Sequence, residues 1–256
     1  MQLHALSAFD DNYIWLLEEA GQALVVDPGE AGLVLAAAAS GRRPDAVLLT
    51  HHHGDHVGGV PELLRQWPDL EVIAPVDERI AHATRRVGEG DVVELCGHAF
   101  QVLEVPGHTR SHVAFHASED GGILFSGDTL FSLGCGRLFE GSPAQMHHSL
   151  SRLAALPGST RVCCGHEYTL ANAAFARAVE PGNAALARRT EEVHAMRTAH
   201  RPTLPSSLAD ERACNPFLRC DQPQVAAAAA RHAGQPPGGP VETFAALRAW
   251  KDGFRA

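Results

Sequence analysis

Lysine is almost missing from this 256-residue chain: 20 arginines stand against one lysine, Lys251. Lys+Arg total 21 and Asp+Glu 30, a net charge of -9, which excludes a broad nucleic-acid surface. An anionic ligand would need a local cluster of positive charge. No apolar run approaches the roughly 20 residues of a membrane span. The start, MQLHALSAFDDNYIW, lacks the basic n-region and apolar stretch of a signal peptide. The six cysteines (Cys96, Cys135, Cys163, Cys164, Cys214, Cys220) form no CxxC pair, and a chain this long needs no disulfide staples. A reduced, cytoplasmic location is expected. No Gly-x-Ser-x-Gly elbow occurs, and Cys135, set between two glycines, has no base tied to it.

What is present is a change of character along the chain. Up to about Cys164, β-rich runs (LHAL, YIWLLEE, ALVVD, AVLLT, EVIAP, DVVEL, AFQVLEVP, HVAFHA, GILFSGD, RVCCG) alternate with turns. Helical patterns fall at Ala31 to Ala39, Val60 to Trp67 and Ala144 to Leu156, the last opened by Ser142-Pro143. After Tyr168 the strand runs stop, and Leu170 to Val179, Ala184 to His200, Gln224 to His232 and Val241 to Trp250 read as helices. The expected layout is an α/β body followed by a helical appendage, 1–168 and 169–256.

Four of the β-runs end in metal-ligand residues. AVLLT leads into HHHGDH, VLEVP into GHT, ILFSG into Asp128 and RVCCG into His166. Loops at strand ends are where α/β proteins place binding groups. In an extended segment alternate residues share a side, so His51 and His53 can face one ion. Gly54 then permits a turn, and Asp55 and His56 suit a second position close by. A lone His108 or His166 would be an ordinary histidine and a lone Asp128 a turn residue; their joint placement at strand ends argues otherwise. His52 is expected to face solvent or stand behind the ligands. His4, His82, His98, His112, His116, His147, His148, His194, His200 and His232 are read as ordinary histidines. Seven ligands exceed one tetrahedral ion, so two ions sharing a bridging carboxylate fit better. Imidazole and carboxylate suit Zn, Fe and Mn.

The run THHHGDHVGG, with GHT, SGDT and CGHE downstream, resembles the metallo-β-lactamase superfamily. GCGRLFEG, CGHEYTLANAAFA, VEPGN, CNPFLR and FAALRAWKDGF extend the likeness over nearly the whole chain to the glyoxalase II, or hydroxyacylglutathione hydrolase, family. The resemblance implies an αββα sandwich with a dimetal site at the edge of two sheets and a C-terminal helical, substrate-binding domain. It implies one metal on His51, His53 and His108, another on Asp55, His56 and His166, and Asp128 bridging them. It implies zinc foremost, with iron or manganese as alternatives. The implied reaction is hydrolysis of S-D-lactoylglutathione to D-lactate and glutathione, which degrades methylglyoxal. Solvent activated between the cations would attack the thioester carbonyl, with Asp55 orienting it, and a thiolate leaving group needs little or no general acid. Tyr168, Arg248 and Lys251 match positions that hold the glutathione moiety, and Arg248 and Lys251 share a helix face. Where some members carry lysine and tyrosine in the GCGK-x-Y segment, this chain has Arg137 and Phe139, so contacts to the tripeptide are expected to differ. The rival reading is another enzyme of the superfamily, a persulfide dioxygenase or a lactonase. No nucleic-acid or membrane partner is expected, and the chain is expected to be a monomer.

Overall fold

The computed structural model describes residues 1–41 and 43–255. The chain packs as two compact units. The first comprises 1–104, 111–127 and 163–166; the second comprises 105–110, 128–162 and 167–256.

In the first unit, β1 (Gln2–Ala8), β2 (Asn12–Glu19) and β3 (Gln22–Val26) form an antiparallel meander. Helix α1 (Gly32–Ser40) then crosses over to β4 (Ala46–Leu48), parallel to β3. A single helical turn, α2 (Gly54–Val57), and α3 (Val60–Gln66) lead to β5 (Glu71–Pro75) and β6 (Arg85–Val87), both parallel. The resulting six-stranded sheet runs in chain order, β1 to β6. The remaining strands, β7 (Val92–Leu95), β8 (His98–Glu104), β9 (Val113–Ala117) and β10 (Ile123–Gly127), make a second, antiparallel sheet.

Alternation explains both faces of the first sheet. Ile14, Leu16, Val25, Val47, Val72 and Ala74 pack with Val34 of α1 and Val60 and Leu63 of α3. The residues between them, Trp15, Leu17, Leu24, Leu48 and Ile73, are also buried. A sheet covered on both faces reads as the continuous apolar runs seen in LVV and AVLL. In the second sheet, Phe100 and Phe125 meet with ring centroids 5.9 Å apart.

The second unit opens its main segment with a tiny hairpin, β11 (Leu130–Phe131) and β12 (Gly134–Cys135). Helix α4 (Pro143–Ala154) follows with the expected cap: Ser142 and Gln145 exchange hydrogen bonds in a capping box, and Pro143 fills the first turn. Strand β13 (Arg161–Cys164) begins in this unit and ends in the first. Beyond it lie α5 (Thr169–Val179), α6 (Ala184–Thr198), β14 (Ser206–Ser207), α7 (Leu208–Cys214), α8 (Pro223–Ala233) and α9 (Pro240–Gly253).

Strand β14 and helix α7 are among the elements that correct the sequence reading. Strand pairing does not stop at Tyr168, because β14 pairs with the start of β13; two serines carry no alternation that a sequence could reveal. Helix α7 was missed because LADERAC offers only a short apolar face. Its start nonetheless has a signal, the Ser207 side chain capping Asp210 N–H. The structure agrees with the α/β body and helical C-terminal region expected.

Candidate metal centre

The loop after β4 is shaped by close backbone contacts. Gly59 N–H donates to Pro28 O, 2.9 Å. A Cβ on Gly58 would collide with Gly29 O, and one on Gly29 with Asp55 O. The glycines of HGDHVGG and of Asp27-Pro28-Gly29 therefore let two loops lie backbone to backbone. This seats Asp27, buried and at φ +52°, beneath the histidines.

Asp27 sets two tautomers at once. Its Oδ1 accepts Thr50 N–H at 2.8 Å, and Oδ2 accepts the Thr50 hydroxyl at 2.7 Å. That hydroxyl proton is then committed, so Thr50 Oγ1 accepts from His51 Nδ1, 3.0 Å away. Oδ2 also accepts from His56 Nδ1 at 3.0 Å. His166 Nδ1 donates to Asp11 Oδ1 at 2.8 Å. In the second unit, His108 Nδ1 donates to the Arg137 carbonyl at 2.9 Å. Each of these four imidazoles spends its Nδ1 proton on an oxygen behind it, which leaves Nε2 as the unprotonated nitrogen, the arrangement of a metal-ligating histidine.

The donor atoms are spaced as ligands. Donors about 2.0–2.2 Å from a common ion lie roughly 2.8–3.1 Å apart at a right angle and about 3.3–3.6 Å apart in a tetrahedron. Asp55 Oδ2 is 3.5 Å from His56 Nε2 and 3.4 Å from His166 Nε2. Those separations are too long for hydrogen bonds and match a coordination edge. His51 Nε2 and His53 Nδ1 are 3.0 Å apart. In the second unit, His108 Nε2 lies 3.4 Å from Asp128 Oδ2. Asn12 Nδ2 donates to Asp55 Oδ2 at 3.0 Å, and a cleft of about 320 Å³ lined by Phe9, Asp10, Asp11, Asn12, Gly54 and Asp55 opens beside it. The residues present fit divalent cations, and the chain binds divalent metal.

Sequence reasoning overlooked Asp27, Asp11 and Asn12. The first sits before Pro-Gly and looks like a turn residue; the others lie in a polar loop. His112, read as ordinary, is fully buried and stacks on His51 with centroids 4.7 Å apart. His52 turns toward Asp77, 3.5 Å away. Arg79 and Ser111 hold the Asp77 carboxyl well below the usual carboxylate range.

The substrate candidates all lie in the second unit. Arg137 is exposed, its Nε 3.9 Å from Asp252. Arg248 is buried: Nη1 donates to Cys135 O and Nη2 to Asp252, each 2.9 Å, and the guanidinium lies over Phe217. Lys251 Nζ donates to Ala171 O at 3.1 Å and lies over Phe175. Burial, with the repulsion of Arg248, pushes the Lys251 ammonium down to about 8. Tyr168 is partly exposed, its ring against Phe131. Cys135 is buried and its thiol is pushed up to about 11 by desolvation, so it offers no ready nucleophile.

The metallo-beta-lactamase superfamily model matches residues 8–166, and the hydroxyacylglutathione hydrolase C-terminus model matches residues 167–254. Hydroxyacylglutathione hydrolases of Xanthomonas euvesicatoria pv. vesicatoria and Stenotrophomonas maltophilia are 62% and 57% identical, each covering 100% of both chains. Among solved structures, TTHA1623 in a di-iron-bound form is 34% identical, with TM-score 0.54 over 65% of this chain and 92% of its own. The BLEG-1 B3 metallo-beta-lactamase shares the fold, with TM-score 0.62 at 22% identity over 85% of this chain and 98% of its own. Motif, architecture and full-length identity converge, and the chain belongs to the hydroxyacylglutathione hydrolases of the metallo-beta-lactamase superfamily.

Proposed function

We propose that this chain hydrolyses S-D-lactoylglutathione to D-lactate and glutathione at a centre of two divalent cations. The supporting observation is that the likeness runs through the ligand-bearing region and the helical region alike, at 62% identity over the full length of a hydroxyacylglutathione hydrolase. We assign one cation to His51, His53 and His108, the other to Asp55, His56 and His166, with Asp128 shared. The histidine and carboxylate donor set suits zinc, and iron or manganese as well.

Cations bound there would lower the pKa of a coordinated water from 15.7 to roughly 7 and polarise the thioester carbonyl. The chain's own residues do the rest. Asp27, Asp11 and the Arg137 carbonyl hold the Nδ1 side of four imidazoles, so those four need not change tautomer to ligate through Nε2. Asp55, held by Asn12, would offer a carboxylate able to accept a proton from water bound there. The departing thiol, with a solution pKa of about 8.5, leaves as thiolate and demands no acid from the protein. Arg137 and Lys251 offer charge to the carboxylates of the tripeptide. Arg248, committed to Cys135 O and Asp252, sustains that field from the interior. Phe139 and Tyr168 carry exposed rings. The six buried free thiols support a reducing compartment.

Thiol release from S-D-lactoylglutathione by purified protein, run beside a lactone and a persulfide of glutathione, tests the assignment. The thioester is expected to be turned over far faster than either. Preference for the lactone or the persulfide would assign the chain to another chemistry of the superfamily.

A further inference from the structure

The segment from Asp128 to Arg137 joins one proposed cation ligand to the carbonyl that orients another. Its conformation comes from three buried polar side chains outside the segment. Leu133 adopts φ +57° without being glycine, and its N–H donates to Glu211 Oε2 at 2.7 Å. Asn215 Nδ2 donates to Phe131 O at 3.1 Å and to Gly134 O at 2.9 Å. Asn172 Nδ2 donates to Ser132 O at 3.0 Å. Four consecutive residues of the β11–β12 hairpin are thus each held by a side chain. Glu211 and Asn215 are fully buried and joined to each other, 3.1 Å.

The hairpin in turn packs on the ligands. Gly136 N–H donates to Thr129 O, and a Cβ on Gly136 would strike Asp128 O and crowd His108 Nδ1. A displacement of the hairpin would therefore move the Asp128 main chain and the Arg137 carbonyl together.

We infer that Glu211 and Asn215 are positioning residues for the cation held by His108 and Asp128, acting through the β11–β12 hairpin. The inference rests on the proposed ligand roles of His108 and Asp128. Glu211 serves as an acceptor rather than as a charge. Burial raises its pKa, while the hydrogen bonds from Leu133 N–H and Asn215 Nδ2 pull the other way. A neutral glutamine can supply the same acceptor to Leu133 N–H; leucine cannot, and it leaves that N–H buried without a partner. Partners that orient ligands typically contribute about 10- to 100-fold to metal affinity or activity.

The test uses the full chain as Glu211→Leu, Glu211→Gln, Asn215→Ala and His108→Ala. Cobalt(II) affinity and the visible spectrum of the cobalt protein are read beside kcat and KM for S-D-lactoylglutathione. Glu211→Leu and Asn215→Ala are expected to weaken one of two cobalt sites about tenfold or more. Their spectra should shift and kcat should fall, with KM within about twofold of the parent. Glu211→Gln is expected to retain parent affinity and spectrum. Parent-like cobalt binding in Glu211→Leu, or equal damage in Glu211→Gln and Glu211→Leu, overturns the inference. If Glu211→Leu does not fold, Asn215→Ala decides: parent-like cobalt binding refutes, a tenfold loss supports. His108→Ala separates the two levels, because its keeping both cobalt ions refutes the ligand assignment itself.

Discussion

Replacing Asp27 by asparagine should cost cation affinity while leaving the fold in place. The carboxylate serves two sets of donors: Thr50 N–H at Oδ1, and the Thr50 hydroxyl with His56 Nδ1 at Oδ2. An asparagine has one acceptor oxygen. If it keeps Thr50 N–H, its amide N–H₂ can donate to Thr50 Oγ1 but faces the His56 Nδ1 proton. His56 must then move that proton to Nε2, the nitrogen turned toward Asp55 and His166, and its ligand lone pair is lost. The backbone tolerates the change, since φ +52° is a conformation asparagine adopts readily. A hydrogen bond to a charged group is worth about 1.5–3 kcal/mol. At about 1.4 kcal/mol per decade that is roughly 10- to 100-fold in affinity. The assay is a competitive zinc titration against a chelator, with the thermal midpoint of the metal-free protein measured alongside. Affinity within twofold of the parent, in a folded variant, would refute the tautomer argument.

Lys251 supplies a pH signature: below about 8 it is charged and above it neutral, so KM for S-D-lactoylglutathione should rise as pH passes through 8. Lys251→Arg, which stays charged, should flatten that rise, and an unchanged profile would remove Lys251 from the substrate site. Gly29→Ala places a methyl on the Asp55 carbonyl and should lower metal content and turnover together, read by elemental analysis of the folded variant. Phe125→Ala, at a fully buried ring against Phe100, should destabilise by about 3–5 kcal/mol in denaturant titration.

The proposed donors were legible because each closes a β-run with a residue type that has few other uses there. The groups that aim them were not. Asp27 meets His56 across 29 positions and Asp11 meets His166 across 155. No local pattern marks an aspartate that will later face an imidazole. The Arg137 contribution is a carbonyl, which any residue would supply, so side-chain chemistry could not announce it. Arg248 shows the converse. Its pairing with Lys251 on one helix face was readable, but its burial against Cys135 O and Phe217 was not, because those partners come from residues 113 and 31 positions earlier. Strand β6 escaped for a different reason: Arg85 and Arg86 are exposed at a sheet edge, where charge is favoured and apolar alternation is absent.

Metal content and thiol release from S-D-lactoylglutathione, measured on one sample before and after exhaustive chelation, test the account most directly. Two divalent ions per active chain are expected, with turnover lost on their removal and regained on their return. Undiminished turnover in metal-free protein would contradict it.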